Sequence, residues 1–331
     1  MINLPRFMTK SGLVACLSVA DAIVSSPEAV VQVDASALGF IDPFGLALLA
    51  AAGERVGQDS REVEVVALNP MYGRYLERMD LFSQPWMGCA VAVPVAGRRD
   101  QRANLVELRR LTEQREVDPV ANSLANAVLG RVPGLDRNAP VDEMSGRNDW
   151  DRASQPLCHA FTELLQNALT HARRAGYRNA NVWVTAQYMQ QNDRIHIGIV
   201  DTGCGFLGSL RTHPRLLTRT DEAAILLALQ PRISCNRDVG LAGDAVNAGI
   251  GLTTTYRIVR AASGHMVIVS GAGVVRVESG RDPYAAAARG LRWQGAALGL
   301  DLSRAAMMRV DIRELMPPRD IGRPAPGIRF E

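Results

Sequence analysis

Residues 163–172 read Glu163-Leu-Leu-Gln-Asn167-Ala-Leu-Thr-His171-Ala172, and the rest of the chain can be interpreted outward from them. From Phe161 onward, apolar residues recur at the i, i+3, i+4 and i+7 spacing of a helix with one buried face. Glu163, Asn167 and His171 follow one another at i, i+4, so they form one polar line along this helix. Such a line is typical of a solvated helix face. It also has the chemistry of a site, because an asparagine oxygen can bind Mg²⁺ and a glutamate can activate a water molecule.

A second motif stands at the end of an apolar strand. The run Arg194-Ile-His-Ile-Gly-Ile-Val200 alternates as a β-strand does, and Asp201-Thr-Gly203-Cys-Gly205 follows it directly. A carboxylate in this position can accept a hydrogen bond from an exocyclic amine such as that of adenine. The two glycines let the backbone approach a base and its sugar closely. The alternative interpretation is an ordinary Asp-Thr-Gly turn.

A third motif precedes a second helix. The residues Gly249-Ile250-Gly251-Leu252 open a helical pattern that ends near Gly264. Backbone N–H groups at a helix N-terminus form an anion site that suits phosphates. Two glycines at this spacing are common in proteins, and they gain meaning here because they follow the other two motifs.

In this order and spacing the three motifs resemble the N, G1 and G2 boxes of the GHKL (Bergerat-fold) ATPases, over residues 146–312. The resemblance implies that Asp201 meets the adenine amine, that Asn167 holds Mg²⁺, and that the glycine loops cover the phosphates. Glu163, one turn before Asn167, is the candidate catalytic base of any hydrolysis. The segment from Leu207 to Asn247 then corresponds to an ATP lid that the nucleotide orders. The residues expected to contact Mg-ATP are Asn167, His171, Asp201, Gly203, Gly205, Gly249, Ile250, Gly251 and Leu252.

The chain departs from that family's pattern at two positions. Asn247 stands where many members open the G2 box with glycine, and Ala296 follows Gly295 where a threonine often supports the adenine contact. Both changes weigh more against efficient turnover than against binding. The segment from Gly295 to Leu302 is expected to be the last strand of a Bergerat-fold α/β sandwich, with a mixed sheet and helices on one face.

The N-terminal third shows a different pattern, that of a small α/β layer domain. Residues 29–33 and 62–68 are expected to form strands, and residues 72–79 a helix. Another helix is predicted to begin at Pro43, with Asp42 as its cap. The alternation of strands and helices predicts one sheet covered by helices.

Two stretches of this region, Phe40-Ile-Asp-Pro-Phe-Gly-Leu46 and Tyr75-Leu-Glu-Arg-Met-Asp-Leu81, resemble a STAS domain, the fold of anti-sigma-factor antagonists. In that family a GHKL partner kinase often phosphorylates a serine that follows the strand-end aspartate. The matching residues here are Pro43 and Phe44, and neither carries a hydroxyl. The resemblance therefore implies a docking or structural module.

Composition sets the remaining limits. With 331 residues, 47% of them hydrophobic, the chain is long enough to bury two cores. Its net charge of +3 comes from interspersed acids and bases, which argues against a nucleic-acid partner. We find no signal-peptide pattern and no apolar run of membrane-spanning length, and we expect a cytoplasmic protein without a membrane contact. The five cysteines show no metal-ligand spacing and are expected to be free thiols.

We therefore predict an α/β (α+β) protein in four parts. Residues 1–96 form the STAS-like domain, 97–145 a connector with a leading helix, 146–312 the GHKL ATP-binding domain, and 313–331 an irregular tail rich in proline and arginine.

Three functions are compatible with this organisation. The first is a regulatory switch, of the kind found in bacterial signalling, in which Mg-ATP orders the lid of residues 207–247 and controls docking of a protein partner, a second copy of the chain included. The second is an enzyme that slowly hydrolyses ATP or phosphorylates a partner on serine or threonine, as anti-sigma-factor kinases do, with Glu163 as the base. The third is an interaction scaffold whose nucleotide pocket has degenerated, which the departures at Asn247 and Ala296 favour.

Overall fold

A computed structural model describes residues 1–91, 100–130, 132–231, 233, 251–287 and 290–316. The strands are β1 (Ile2–Asn3), β2 (Phe7–Met8), β3 (Val30–Asp34), β4 (Phe40–Ile41), β5 (Glu62–Val66), β6 (Met87–Cys89), β7 (Leu105–Leu111), β8 (Val182–Met189), β9 (Arg194–Asp201), β10 (His265–Gly271), β11 (Gly273–Glu278), β12 (Tyr284–Ala285) and β13 (Trp293–Ser303). The helices are α1 (Leu13–Ser25), α2 (Pro43–Gln58), α3 (Pro70–Arg78), α4 (Val117–Leu129), α5 (Asp149–Ala172), α6 (Gly205–Leu210), α7 (Asp221–Ala228), α8 (Gly251–Ala261), α9 (Arg304–Met307) and α10 (Ile312–Leu315). This combination of helices with several sheets agrees with the predicted α/β (α+β) class.

The N-terminal layer is built on a parallel sheet of four strands in the order β1-β3-β5-β6. Valines at alternate positions of β3 and β5 are buried, and the residues between them face outward. Helix α2 begins as predicted, with Pro43 in its first turn and the Asp42 carboxylate accepting a hydrogen bond from Gly45 N at 2.9 Å. The cap and the proline together fix where this helix starts.

A second sheet has seven strands in the order β12-β11-β10-β13-β9-β8-β7. Every strand pair in it is antiparallel, so the prediction of a mixed sheet was wrong for this layer. Strand β7 forms one edge, although residues 105–111 fall within the predicted connector. The leading helix expected after it is α4, which packs on α5.

Both faces of the seven-stranded sheet are covered. Helices α4, α5 and α8 pack on one face through a core that includes Leu165, Ile197 and Leu300. Strand residues Trp183 and Val269 point to the other face and share a core with the N-terminal layer. Helices were expected on one face only. Within the region after residue 104 the helices do lie on one face of the seven-stranded sheet, but α2 of the N-terminal layer covers its other face.

Helix α2 lies between the two sheets. Every residue from Pro43 to Glu54 is buried, which is unusual for a helix and requires neighbours all around it. The strand glycines Gly198 and Gly299 make the close approach possible. A methyl group at Gly198 would overlap the Pro43 carbonyl oxygen, and one at Gly299 would lie 2.7 Å from the Phe44 ring. No described helix combines the length and the apolar character that crossing a membrane requires.

A buried carboxylate fixes α2 to the large sheet. Glu54 is 1% exposed, and its oxygens accept hydrogen bonds from Arg110 Nε (2.7 Å), Asn181 Nδ2 (2.6 Å) and Trp183 Nε1 (2.7 Å). The Arg110 guanidinium also lies 5.0 Å from the centre of the Trp86 ring. A buried charge is tolerated only when it is paired and hydrogen-bonded, so these partners stabilise one relative placement of the two layers.

Candidate functional site

Residues from all three sequence motifs meet at one cleft, on the face of the large sheet that carries α5 and α8. The cleft encloses about 820 Å³ of space, which includes its open mouth. Of the residues expected to contact Mg-ATP, those that line it are Asn167, His171, Asp201, Gly205 and Leu252. Most of the other lining groups are apolar, among them Ile199 and Leu298 of the sheet floor. Gly249 and Ile250 lie outside the described residues.

Helix α5 supplies one wall of the cleft. Asn148 caps it in a reciprocal capping box with Asp151, so the helix begins at Asp149, ahead of the apolar repeat that starts at Phe161. Asn167 and His171 face the cleft one helical turn apart. Glu163, one turn earlier, is half-buried and does not line the cleft, and burial raises the pKa of its carboxyl.

Asp201 ends strand β9 and is the one carboxylate among the described residues that line the cleft. It is only 6% exposed, and its Oδ1 accepts a hydrogen bond from Gly203 N at 2.8 Å. Burial raises its pKa to about 7, and the backbone N–H groups of Gly203 and Ala296 oppose this rise in part. An acceptor that costs this much to ionise gains from any donor that a ligand brings.

The first residues of β13 hold the backbone around Asp201 in place. Trp293 Nε1 donates to the Asp201 carbonyl oxygen at 2.9 Å, and Gln294 Nε2 donates to the Gly203 carbonyl at 2.8 Å. Gly295 adopts a φ of +116°, and a side chain there would overlap the Asp201 carbonyl. This kink brings the Ala296 N–H to Asp201, so the position that departs from the GHKL pattern still contributes through its backbone.

Gly203 and Gly251, which the sequence predicts to approach a nucleotide, pack against α5 and do not line the cleft. A methyl group at Gly203 would overlap Ala172, and one at Gly251 would lie 2.7 Å from the Glu163 carbonyl carbon. The absence of side chains therefore lets the strand-end turn and the start of α8 press against the asparagine-bearing helix.

His171 is a neutral group in this cleft. Burial lowers its pKa to about 4, and the nearby Arg174 lowers it further in the same direction. Its Nδ1 lies 3.3 Å from Ser209 Oγ, with donor and acceptor set by the imidazole tautomer. At pH 7 the ring therefore offers a hydrogen bond and no positive charge.

The predicted lid, Leu207 to Asn247, is described for residues 207–231 and 233. The helix expected at Asp221 is α7, and its first residue accepts a hydrogen bond from Ala272 N at 2.9 Å, which attaches it to the β10–β11 turn. Leu210, Ala228 and Ile233 from this segment line the cleft. A small apolar cluster of its own, which includes Leu216 and Leu227, holds the described part together.

Three residues outside the sequence motifs also contribute to the cleft. Ser270 Oγ accepts a hydrogen bond from Phe206 N at 2.9 Å and so positions the residues after the glycine turn. Phe206 and Ser209 line the cleft from α6. In the sequence Ser270 only ends the apolar run 266–269, and nothing local assigns it to the cleft.

A metal ion would find few ligands here. Among the described residues, no group of three or more His, Cys, Asp or Glu side chains could hold one. Asn167 offers a single oxygen at the cleft. This fits Mg²⁺ only in the form in which substrate phosphates and water supply most of its ligands.

Comparison with family models, with curated proteins and with solved structures finds no match to this chain.

Proposed function

We propose that this protein is an ATP-binding regulatory switch, in which Mg-ATP orders the lid of residues 207–247 and thereby controls docking of a protein partner. The observation that carries the proposal is Asp201, a buried carboxylate at a strand end that forms part of an apolar cleft and has a pKa raised to about 7. The adenine amine is a donor of the right kind for it, and Ile199 and Leu298 offer apolar surface for the base.

The other side chains fit the same ligand. His171 is neutral, so it can hydrogen-bond to a base or sugar and carries no positive charge that would attract the phosphates. Asn167 would give Mg²⁺ one oxygen, and the metal when bound would screen the phosphate charge. The start of α8, where Leu252 lines the cleft, would offer backbone N–H groups suited to phosphates.

A switch also needs a path from the cleft to the rest of the molecule. Asn181 provides one, since its backbone exchanges hydrogen bonds of 3.3 Å with Thr202, the residue after Asp201. The same asparagine donates from its side chain to Glu54 of α2 at 2.6 Å. A change in the Asp201 turn therefore acts on the contact that fixes the N-terminal layer.

Slow hydrolysis or phosphorylation of a serine or threonine on a partner is a second candidate, favoured by Glu163. Burial raises the pKa of this glutamate toward the range that suits a general base. Pro43 and Phe44 would not be its target, because they lack hydroxyls and are buried.

Hydrogen–deuterium exchange on the full chain tests the switch. Mg-ATP is expected to slow exchange within residues 207–247, whereas Mg²⁺ alone leaves it unchanged. Asp201→Asn is expected to abolish the ATP effect. Identical exchange with and without Mg-ATP at saturation would contradict the switch, and failure of ATP to bind would favour the scaffold.

A further inference from the structure

A second cleft lies on the opposite face of the seven-stranded sheet. It is bordered by Phe40 of β4, by the hairpin that joins β8 to β9, and by Gln101, Asn104 and Leu105 at and just before the start of β7. It encloses about 1,230 Å³, its open mouth included. Clefts where two layers of a protein meet are a common place for small ligands.

Strand register builds the floor of this second cleft. Leu105 pairs with Gln187, and Gln187 pairs with His196, so the three side chains form one row across β7, β8 and β9. The row lies on the face that packs against the N-terminal layer. Tyr75 of α3 donates its hydroxyl to Gln187 Oε1 at 2.8 Å, which leaves the Gln187 amide nitrogen as a donor.

Most side chains that line this second cleft are polar. Although 21% of the chain is Asp, Glu, Lys or Arg, none of the described residues that line this cleft is of those types. Phe40 and Tyr188 add two aromatic rings. Six primary amides dominate the rest: Gln101, Asn104, Gln187, Gln190, Gln191 and Asn192.

His196 adds a polar atom that no described group satisfies. Its Nδ1 is buried and has no hydrogen-bond partner, and the closest carboxylate oxygen, Asp42 Oδ2, is 3.9 Å away. A buried polar atom without a partner is costly, and the accessible part of the same side chain lines the cleft.

We propose that this second cleft binds a neutral, polyhydroxylated ligand of the size of a mono- or disaccharide. A charged ligand would lose its hydration without meeting an opposite charge, and an apolar one would displace water from the amides without replacing the hydrogen bonds of that water. Amides both donate and accept, as hydroxyl groups do. The rings at Phe40 and Tyr188 give apolar surface for the C–H face of a sugar.

Ligand-observed NMR on the full chain tests this proposal, with maltose and N-acetylglucosamine as probes and with glucose 6-phosphate and adenosine for comparison. At least one of the two sugars is expected to bind saturably, and more tightly than either comparison ligand. Phe40→Ala and Gln191→Ala, both at exposed positions, are expected to weaken binding about tenfold each. The matched control Gln32→Ala, on the outer face of the four-stranded sheet, is expected to leave it unchanged.

Two results would overturn the proposal. One is the absence of saturable binding of both sugars at millimolar concentration, with wild-type melting behaviour confirming a folded chain. The other is tighter binding of adenosine or glucose 6-phosphate than of either sugar. Loss of Mg-ATP binding would not count against the sugar site, because this cleft shares no lining residue with the one at Asp201.

Discussion

Substitution of Asp201 by asparagine should change how the stability of the chain depends on pH. The carboxyl has its usual pKa near 3.8 when the chain is unfolded and about 7 when folded. Between those values the folded state binds the extra proton, so the free energy of unfolding falls as pH rises from about 4 to about 7. The shift corresponds to roughly 4 kcal/mol in total, at 1.36 kcal/mol for each pKa unit. Asparagine has no such titration.

The assay is urea denaturation of both proteins at several pH values from 5 to 8. The contributions of other titrating groups, Glu163 and His171 among them, cancel when the unfolding free energy of one protein is subtracted from that of the other at each pH. We expect the wild type to lose about 3 kcal/mol relative to Asp201→Asn across this range, with the loss levelling off above pH 7. A difference that stays constant with pH would refute the conclusion that Asp201 is buried at a cost. Saturating Mg-ATP should flatten the wild-type curve, because an amine donor favours the ionised carboxylate.

Three further substitutions test the layers and the chemistry. Glu54→Ala should destabilise the chain by about 3 kcal/mol in thermal or urea unfolding, because it leaves buried donors without an acceptor; exposed Glu62→Ala should change stability little. Gly295→Ala should abolish ATP binding in a calorimetric titration, because the new side chain would overlap the Asp201 carbonyl. Its control is Gly290→Ala, which should retain binding, because Gly290 also has a positive φ (+79°) but has open space around it. Glu163→Gln should bind ATP with unchanged affinity and lose any phosphate release by about 10²–10⁴-fold; equal turnover would exclude it as the base.

Local signals in the sequence predicted individual elements well. The Asp42 cap with Pro43 behind it located the start of α2, and the alternation in 194–200 located β9. These features depend on residues close together in the chain. Helix α1 was missed even though its buried residues Leu13, Cys16, Leu17 and Ala20 follow helical spacing. Strand β7 was assigned to a connector because charges and a register shift between Val106 and Arg109 interrupt its alternation.

Long-range contacts were harder to predict. Nothing local in α2 indicates that it lies between two sheets, and strand directions cannot be deduced from the order of elements alone, which is why the mixed sheet was wrong. Gly198 and Gly299 were the available signal, because a glycine inside a strand often marks a close backbone approach. At the cleft, the motifs predicted Asn167 and Asp201. They could not predict Ser270, because its hydrogen bond with Phe206 joins residues that are far apart in the sequence.

Isothermal titration of Mg-ATP into the full chain at pH 8 decides whether Asp201 holds an adenine base. At this pH the carboxyl is ionised in most molecules, given its pKa of about 7. We predict saturable binding to the wild type and to Gly290→Ala, and no measurable binding to Asp201→Asn, with GTP binding far more weakly than ATP. Binding of equal affinity to Asp201→Asn, or no binding to the wild type, would contradict the nucleotide site.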